Sequence, residues 1–381
     1  MRSNRIKCMI SAGFLVFILS MFVIILKGAF QAGISMEAIQ EEVEYNIAYK
    51  EKWIDLYGAI QNIAGKAQIE NFTIFKNNYG KLIEPKARME DKEIIGKADE
   101  VMPLLTYCND NNISCIYITS VLPVQEKSDL PYMELDYSHE NAEVLLDYMI
   151  KCGINVFDIR ESEAVKAISK EEVFYKTDHH WSMTACFAAF QELIKEIEKQ
   201  TNCNIDSKYY DLANYYEYRQ SNSFLGSYGV KVGKYYAGQD DFVVYVPNFK
   251  TYLNFEAYDE NGNLVLAKDG EWMSCLMDLT ILSDDDYHNK YNSWSNGAYI
   301  ENHVVNNLAD NNLKVLYISH SYGRPMTQYL ALCFREVRHL DPQEGRFQGN
   351  YLNYMEVYNP DIVIFQGESV GRIIGTYDVS S

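Results

Sequence analysis

Lys314-Val315-Leu316-Tyr317-Ile318-Ser319-His320-Ser321-Tyr322-Gly323-Arg324 is the stretch from which the fold is read. Its apolar run is short enough for a strand, a tight polar turn follows, and a helix is expected from Arg324 to Cys333. Continuous apolarity, rather than alternation, marks a strand covered on both faces, as in parallel sheets fed by helices. Runs of the same kind predict strands at Ser114–Val121 and Asp361–Phe365, with shorter ones at Asn155–Ile159 and Glu336–Leu340. Helices are expected at Lys92–Asn109, His139–Cys152, Ser182–Glu198, Tyr299–Asp310 and Gly349–Tyr358. The fold class is therefore α/β, a parallel sheet with helices on both faces.

Two regions depart from this rhythm. Phe72–Ile83 alternates apolar and polar residues around Asn77-Asn78-Tyr79-Gly80, the pattern of a hairpin. Residues 204–296 are rich in Tyr, Gly and Asn, and Asp259-Glu260-Asn261-Gly262-Asn263 joins Tyr252–Tyr258 to Leu264–Ala267 as a second hairpin. This stretch is expected to form an inserted, mostly β subdomain. It divides the α/β domain into 91–203 and 297–381, preceded by a helical stalk and hairpin at 28–90.

The first 27 residues set the expected compartment. Arg2, Arg5 and Lys7 precede an uncharged run from Cys8 to Leu26, closed by Lys27. Nineteen helical residues span about 28 Å, close to a bilayer's hydrocarbon core. No small-x-small exit follows, so a single signal anchor is expected, with its basic tip in the cytoplasm and everything after Lys27 outside. A cleaved signal would release the same domain. The 381 residues are 48% hydrophobic, enough for a sizeable core, and 34 Lys and Arg against 53 Asp and Glu leave a net charge of −19. That charge repels phosphate backbones and argues against a nucleic-acid partner. The cysteines form no CxxC pair, no His spacing suits a zinc site, and no nucleotide-binding loop is present, so neither metal nor cofactor is expected. The Asp284-Asp285-Asp286 run reads as a solvated loop. The 31 Tyr read first as packing residues.

The chemistry is expected in two places. Tyr175-Lys176-Thr177-Asp178-His179-His180-Trp181-Ser182-Met183-Thr184 lies between a strand-like segment and a helix capped by Ser182. In an extended turn, positions i and i+2 project together, so Asp178 can fix the tautomer of His180 and stabilise its imidazolium. Ser321 follows an apolar strand and so sits at the carboxyl end of the sheet, where open α/β sheets bind ligands. Backbone N–H groups of Ser321, Tyr322 and Gly323 at a helix N-terminus would form an anion site. Ser319 is the rival nucleophile, one step too early, and His320 is too near in sequence to serve Ser321. Gly367, after the last strand, can add a donor by close backbone approach. Arg324 can contact an anionic sugar or acyl oxygen, or lie on the helix surface.

Thr177-Asp178-His179-His180-Trp181 before a helix, with Ser321-Tyr322-Gly323 after a later strand, resembles the DHHW proteins, relatives of the SGNH-like alginate O-acetylation proteins. The resemblance runs from about residue 45 to the C-terminus. It implies an SGNH-hydrolase-like, flavodoxin-like sheet in circularly permuted order, the Asp-His pair preceding the Ser. Carried over, Asp178 orients the base, His180 is the base, Ser321 is the nucleophile, and Trp181 is a structural or acceptor-stacking neighbour. Two positions depart from the pattern: Ser319-His320 before the nucleophile, and Glu368-Ser369 where many SGNH hydrolases carry Asn-Asp. The resemblance implies a membrane-anchored O-acyltransferase, with acetyl as the expected group. Its acceptor would be a cell-surface or secreted polysaccharide, and a multi-spanning membrane acyltransferase would be its acyl donor. A polysaccharide O-acetyl esterase uses the same three residues, and a non-catalytic glycan-binding scaffold uses none of them.

Overall fold

The computed structural model describes residues 50–70, 73–124, 129–130, 136–284, 289–342 and 351–366, with isolated helical positions at 16, 19, 20, 23 and 27. The anchor expected at 1–27 therefore falls almost wholly outside the described residues. Among those that are described, no helix is long and apolar enough to cross a membrane.

The chain opens with helix α1 (Lys50–Ile63) and a small antiparallel sheet of β1 (Gln68–Ile69), β2 (Ile74–Lys76) and β3 (Leu82–Ile83). The Asn77 side chain shapes the β2–β3 turn by accepting from the Tyr79 and Lys81 N–H groups, each at 2.9 Å. Then come α2 (Asp91–Asp110), β4 (Ser114–Ile118), α3 (Ser138–Lys151), β5 (Val156–Phe157) and α4 (Met183–Thr201). The hairpin of β6 (Tyr215–Phe224) and β7 (Asp240–Pro247) encloses the short helix α5 (Ser227–Val232). The rest comprises β8 (Leu253–Tyr258), β9 (Leu264–Gly270), β10 (Glu301–Asn306), β11 (Lys314–Ser319), α6 (Gly323–Cys333), β12 (Glu336–Leu340), α7 (Tyr351–Tyr358) and β13 (Ile362–Gln366).

The main sheet runs β5-β4-β13-β11-β12-β10-β8-β9. Its first five strands are parallel, as their unbroken apolar runs require, and the last three are antiparallel. The sheet is thus mixed rather than parallel throughout. Two segments account for the difference. The 299–310 stretch, expected as a helix, is the strand β10, which lies between β12 and β8. Its Val304-Val305 pair suits a pleated surface, and Glu301 and Asn302 are buried by strand neighbours that a helical reading cannot supply. The 204–296 stretch, expected to be a mostly β subdomain, holds β6 to β9 with short helices between them, and β8 and β9 extend the main sheet instead of standing apart from it.

Helices cover both faces. On one, α4 and α6 pack over Ile116, Val315, Tyr317 and Ile364. On the other, α2, α3 and α7 pack over Tyr117, Leu316, Val363 and Phe365. Every residue of α6 is buried, so its terminal carbonyls need partners from the protein itself. Asn306, at the end of β10, donates from Nδ2 to the Ala331 and Leu332 carbonyls at 3.0 and 3.1 Å, and Asn311 donates to Cys333 at 2.8 Å. Much of the tyrosine content is core: Tyr329 meets Phe187 edge-on at 5.2 Å, and Tyr215 packs on the same rings. The cysteines from Cys108 to Cys333 are all free thiols.

Replacing Asn306 with Ala strips two donors from the buried end of α6. The unfolding free energy in urea is expected to fall by about 1–3 kcal/mol, and an unchanged midpoint would mean that these carbonyls find other partners.

Candidate active site

Parallel register brings the carboxyl ends of β4, β13 and β11 level, with Ile118, Gln366 and Ser319 side by side. The chain leaves β11 through His320 and Ser321 and enters α6 at Gly323. Ser321 is half-buried at this rim. Across from it, an isolated bridge between Phe174 and Trp181 closes the turn that carries Asp178, His179 and His180. Ser182 caps α4 by accepting from the Ala185 N–H at 3.2 Å, so the turn is held between a bridge and a helix start.

Asp178, His180 and Ser321 form one hydrogen-bonded line. The Asp178 Oδ1 accepts from the His180 Nδ1–H, and His180 Nε2 lies 2.7 Å from Ser321 Oγ. With Nδ1 carrying the proton toward the carboxylate, Nε2 is left as the acceptor for the serine hydroxyl. Asp178 and His180 are buried. Burial alone would raise the Asp178 pKa, but attraction to the His180 and His179 rings and the Ser227 N–H outweigh it and hold the carboxyl well below the usual carboxylate range. Its Oδ2 accepts from the Ser227 N–H at 2.6 Å.

Residues with no local sequence signal hold this line in place. Gly226 passes so close that a Cβ there would lie 2.2 Å from the Asp178 Cβ. Asp240, on β7, accepts from the Lys176 and Thr177 N–H groups at 2.7 and 2.8 Å and from Thr177 Oγ1 at 2.7 Å. Tyr291 stacks flat on the His180 ring, with centroids 3.7 Å apart and an 11° interplanar angle. That face attracts the positive charge an imidazole gains on taking a proton.

The other expected residues fall as follows. Trp181 is 1% exposed and donates to the Tyr322 carbonyl at 3.2 Å, so it braces the serine turn and has no face open to an acceptor. The Tyr322 hydroxyl donates to the His179 carbonyl, tying the two halves together. Gly323 is not an open anion donor, because its N–H donates to the His320 carbonyl at 3.0 Å and closes the turn. The Ser321 N–H makes no bond among the described residues. Arg324 is buried rather than on the helix surface. It reaches Asn292 at 3.2 Å and Asp341 at 3.5 Å, and its buried Nε has no partner among the described residues. Gly367 lies outside the described residues.

Ser319 belongs to a separate, closed network. It is fully buried, with its Oγ 2.9 Å from the His320 carbonyl and 3.0 Å from His339 Nε2. His320 is also buried, with Nδ1 3.7 Å from Asp341 Oδ1. The Asp341 carboxyl is held below its ordinary value: burial opposes this, and attraction to His320, His339 and Arg324 prevails.

Asp178, His179 and His180 also offer three ligand atoms within 4.8 Å of one another. Those atoms are already engaged, since His179 Nδ1 lies 2.7 Å from Ser227 Oγ and the other two residues bond each other and Ser321. Beside the line, a cavity of about 150 Å³ is walled by His179, Ser227, Tyr228 and Tyr322, with Lys86 and Lys231 among its lining.

The buried rim makes stability depend on pH. Burial pulls the His339 imidazole down to about 4, whereas an unfolded chain titrates near 6.5. As pH falls, the unfolded chain takes up this proton first. The stabilising difference is therefore intact above about pH 6.5 and is lost as pH falls toward 4. Urea unfolding is expected to lose about 3 kcal/mol across that window, and His339→Gln should flatten the dependence. An equally steep slope in the variant would assign it to another group.

Residues 125–235 match the family model of the SGNH hydrolase-like domain of acetyltransferase AlgX, a span that holds Asp178 and His180 but not Ser321. No curated protein matches the chain. Bacillus cereus PatB1 with a sulfonyl adduct superposes with a TM-score of 0.63 at 20% identity, covering 81% of this chain and 98% of that one. A DHHW family protein from Eubacterium siraeum superposes at 0.55 with 13% identity, covering 77% and 93%. These likenesses show a shared SGNH-like α/β fold. Residues 125–235 are thus similar to the SGNH hydrolase-like domain of AlgX, and the chain shares its fold with PatB1 and with a DHHW family protein.

Proposed function

We propose that this chain is a membrane-anchored, extracytoplasmic O-acetyltransferase that acylates a polysaccharide through an ester on Ser321. The observation that carries the reading is the 2.7 Å contact between His180 Nε2 and Ser321 Oγ, with Asp178 on the other ring nitrogen. A hydroxyl in that setting can be deprotonated as it attacks.

His180 takes the Ser321 proton while Oγ adds to the carbonyl of the acyl donor. The developing imidazolium lies between the Asp178 carboxylate and the Tyr291 face. The negative charge on the former carbonyl oxygen falls to the Ser321 N–H, the open donor at the start of the α6 turn. His180 returns the proton to the leaving group, and the acyl group stays on Ser321. A sugar hydroxyl then repeats the cycle: His180 removes its proton, its oxygen attacks the ester, and Oγ leaves with the proton restored. The cavity lined by His179 and Tyr322, the chain neighbours of His180 and Ser321, is the approach assigned to that sugar.

The relation to an acetyltransferase family supports acyl transfer in general. The acetyl group, the polysaccharide acceptor, the anchor at 1–27 and a multi-spanning membrane protein as donor are the finer parts of the proposal. They follow from the sequence resemblance and from the scarcity of acyl-CoA outside a membrane.

Purified protein should transfer acetyl from p-nitrophenyl acetate to an oligosaccharide, with Ser321→Ala and Asp178→Asn lowering kcat by about 10³-fold or more. Ser319→Ala, in the closed network, should keep the acyl-enzyme burst even if it costs stability. Acetylated sugar supports the transferase, whereas acetate alone, with the same residues required, points to an esterase. Full activity in Ser321→Ala sinks the proposal.

A further inference from the structure

The carboxyl ends of β4 and β5 lie at the same edge of the sheet from which the Ser321 turn leaves β11. A second cavity, of about 310 Å³, opens among the residues that follow these two strands. Val121, Leu122, Val165 and Ile168 give it an aliphatic wall, and His139, Arg160, Lys166 and Lys170 complete its lining among the described residues. Leu122 also lines the cavity beside His179, so the two are neighbours along one rim.

Arg160 is fixed in place by the protein itself. Its side chain is 7% exposed. Nε donates to Asp158 Oδ1 at 2.9 Å, and Nη2 donates to Asp158 Oδ2 and Glu143 Oε1, both at 2.7 Å. Asp158 is held in turn, accepting from Thr119 Oγ1 at 2.9 Å and from the Arg160 N–H at 3.0 Å. The remaining nitrogen, Nη1, is buried and has no acceptor among the described residues. A buried donor without an acceptor costs free energy that a bound acceptor recovers.

The surroundings decide what kind of acceptor fits. Two carboxylates already balance the Arg160 charge. Lys166 pairs with Glu161 at 2.6 Å, and Lys170 with Asp129 at 3.3 Å. His139 Nε2 lies 3.0 Å from the Val124 carbonyl oxygen. An entering anion would find these cations already matched and would be repelled by the carboxylates that match them. A neutral carbonyl oxygen meets no such repulsion and still accepts from Nη1. The aliphatic wall beside that donor suits a short apolar tail. A carbonyl joined to a methyl is an acetyl group.

We propose that this cavity is a subsite for an acetyl substituent carried by the polymer, with its carbonyl on Arg160 Nη1 and its methyl on the aliphatic wall. The polymer is taken from the function proposed above, whereas the chemistry of the subsite stands on Arg160 and its neighbours. A sugar held there leaves an adjoining unit of the same chain to enter the cavity beside His179. The acetyl group has two sources: the acetamide of an amino sugar, or an ester placed earlier on the polymer.

Equilibrium titration of the full chain carrying Ser321→Ala reads binding without turnover. A tetramer of N-acetylglucosamine should bind about tenfold or more tighter than a tetramer of glucose. Arg160→Lys keeps a charge beside Asp158 but removes the Nη1 donors, and should abolish the difference. Ile168→Trp, which fills the cavity from its half-exposed wall, should do the same and keeps the test open should Arg160→Lys fail to fold. An O-acetylated glucose tetramer separates the sources: tight binding assigns the site to the polymer's esters as well, and weak binding assigns it to the acetamide. The proposal is overturned if the three tetramers bind alike or not at all, or if the preference survives in a folded variant. A glucuronic acid tetramer that binds more tightly than the N-acetylated one would also overturn it. Because binding is read without the Ser321 hydroxyl, failure here leaves the catalytic reading standing, and an unreactive Ser321 leaves the subsite standing.

Discussion

A buried carboxylate must be surrounded by donors, and the region around Asp178 is organised by that requirement. Its two oxygens take a ring N–H from His180 and a backbone N–H from Ser227. The second contact needs the chain to pass at a distance only Gly226 allows. The Thr177–Trp181 turn, the 226–227 segment and the Ser321 turn are thereby fixed to one another, although they lie far apart in sequence. Asp240 adds a second carboxylate beneath the turn, holding the 176 and 177 N–H groups. A charge that would be costly in isolation becomes the point on which three segments converge.

The mixed sheet supplies the frame. Parallel pairing of β4, β13 and β11 sets their carboxyl ends in one line, so the serine turn emerges beside the helix start that follows His180. Because α6 is wholly buried, the serine turn cannot drift, and the Trp181 bond to Tyr322 braces it from the opposite side. The Ser319 and His339 network lies just below, closed to solvent. Two serines two residues apart thus have opposite surroundings: one faces a base at a half-open rim, the other is locked in the core.

Much of this was legible in the chain. The runs at 114–121, 313–318 and 361–365 read as buried strands because burial on both faces leaves no place for polar alternation. Asp178 and His180 could be paired because a two-residue spacing in extended backbone projects to one side. Ser321 could be chosen over Ser319 because a strand residue and a turn residue differ by a step. The 299–310 segment was misread because the partners that bury Glu301 and Asn302 come from β8 and β12, both remote. Gly226, Asp240 and Tyr291 were not foreseen for the same reason: each acts through a contact about 50 residues or more from its partner. The Gly323 N–H was wrongly expected to be open, because the turn's internal bond to His320 depends on a backbone geometry that residue types alone do not fix.

The central claim is that Asp178 and His180 make the Ser321 hydroxyl a nucleophile, and covalent labelling tests it most directly. After treatment with a sulfonyl fluoride, peptide mass spectrometry should place the adduct on Ser321, with labelling lost in His180→Ala while the fold is kept. A chain whose Ser321 stays unmodified, or is labelled as fast without His180 as with it, would contradict the account.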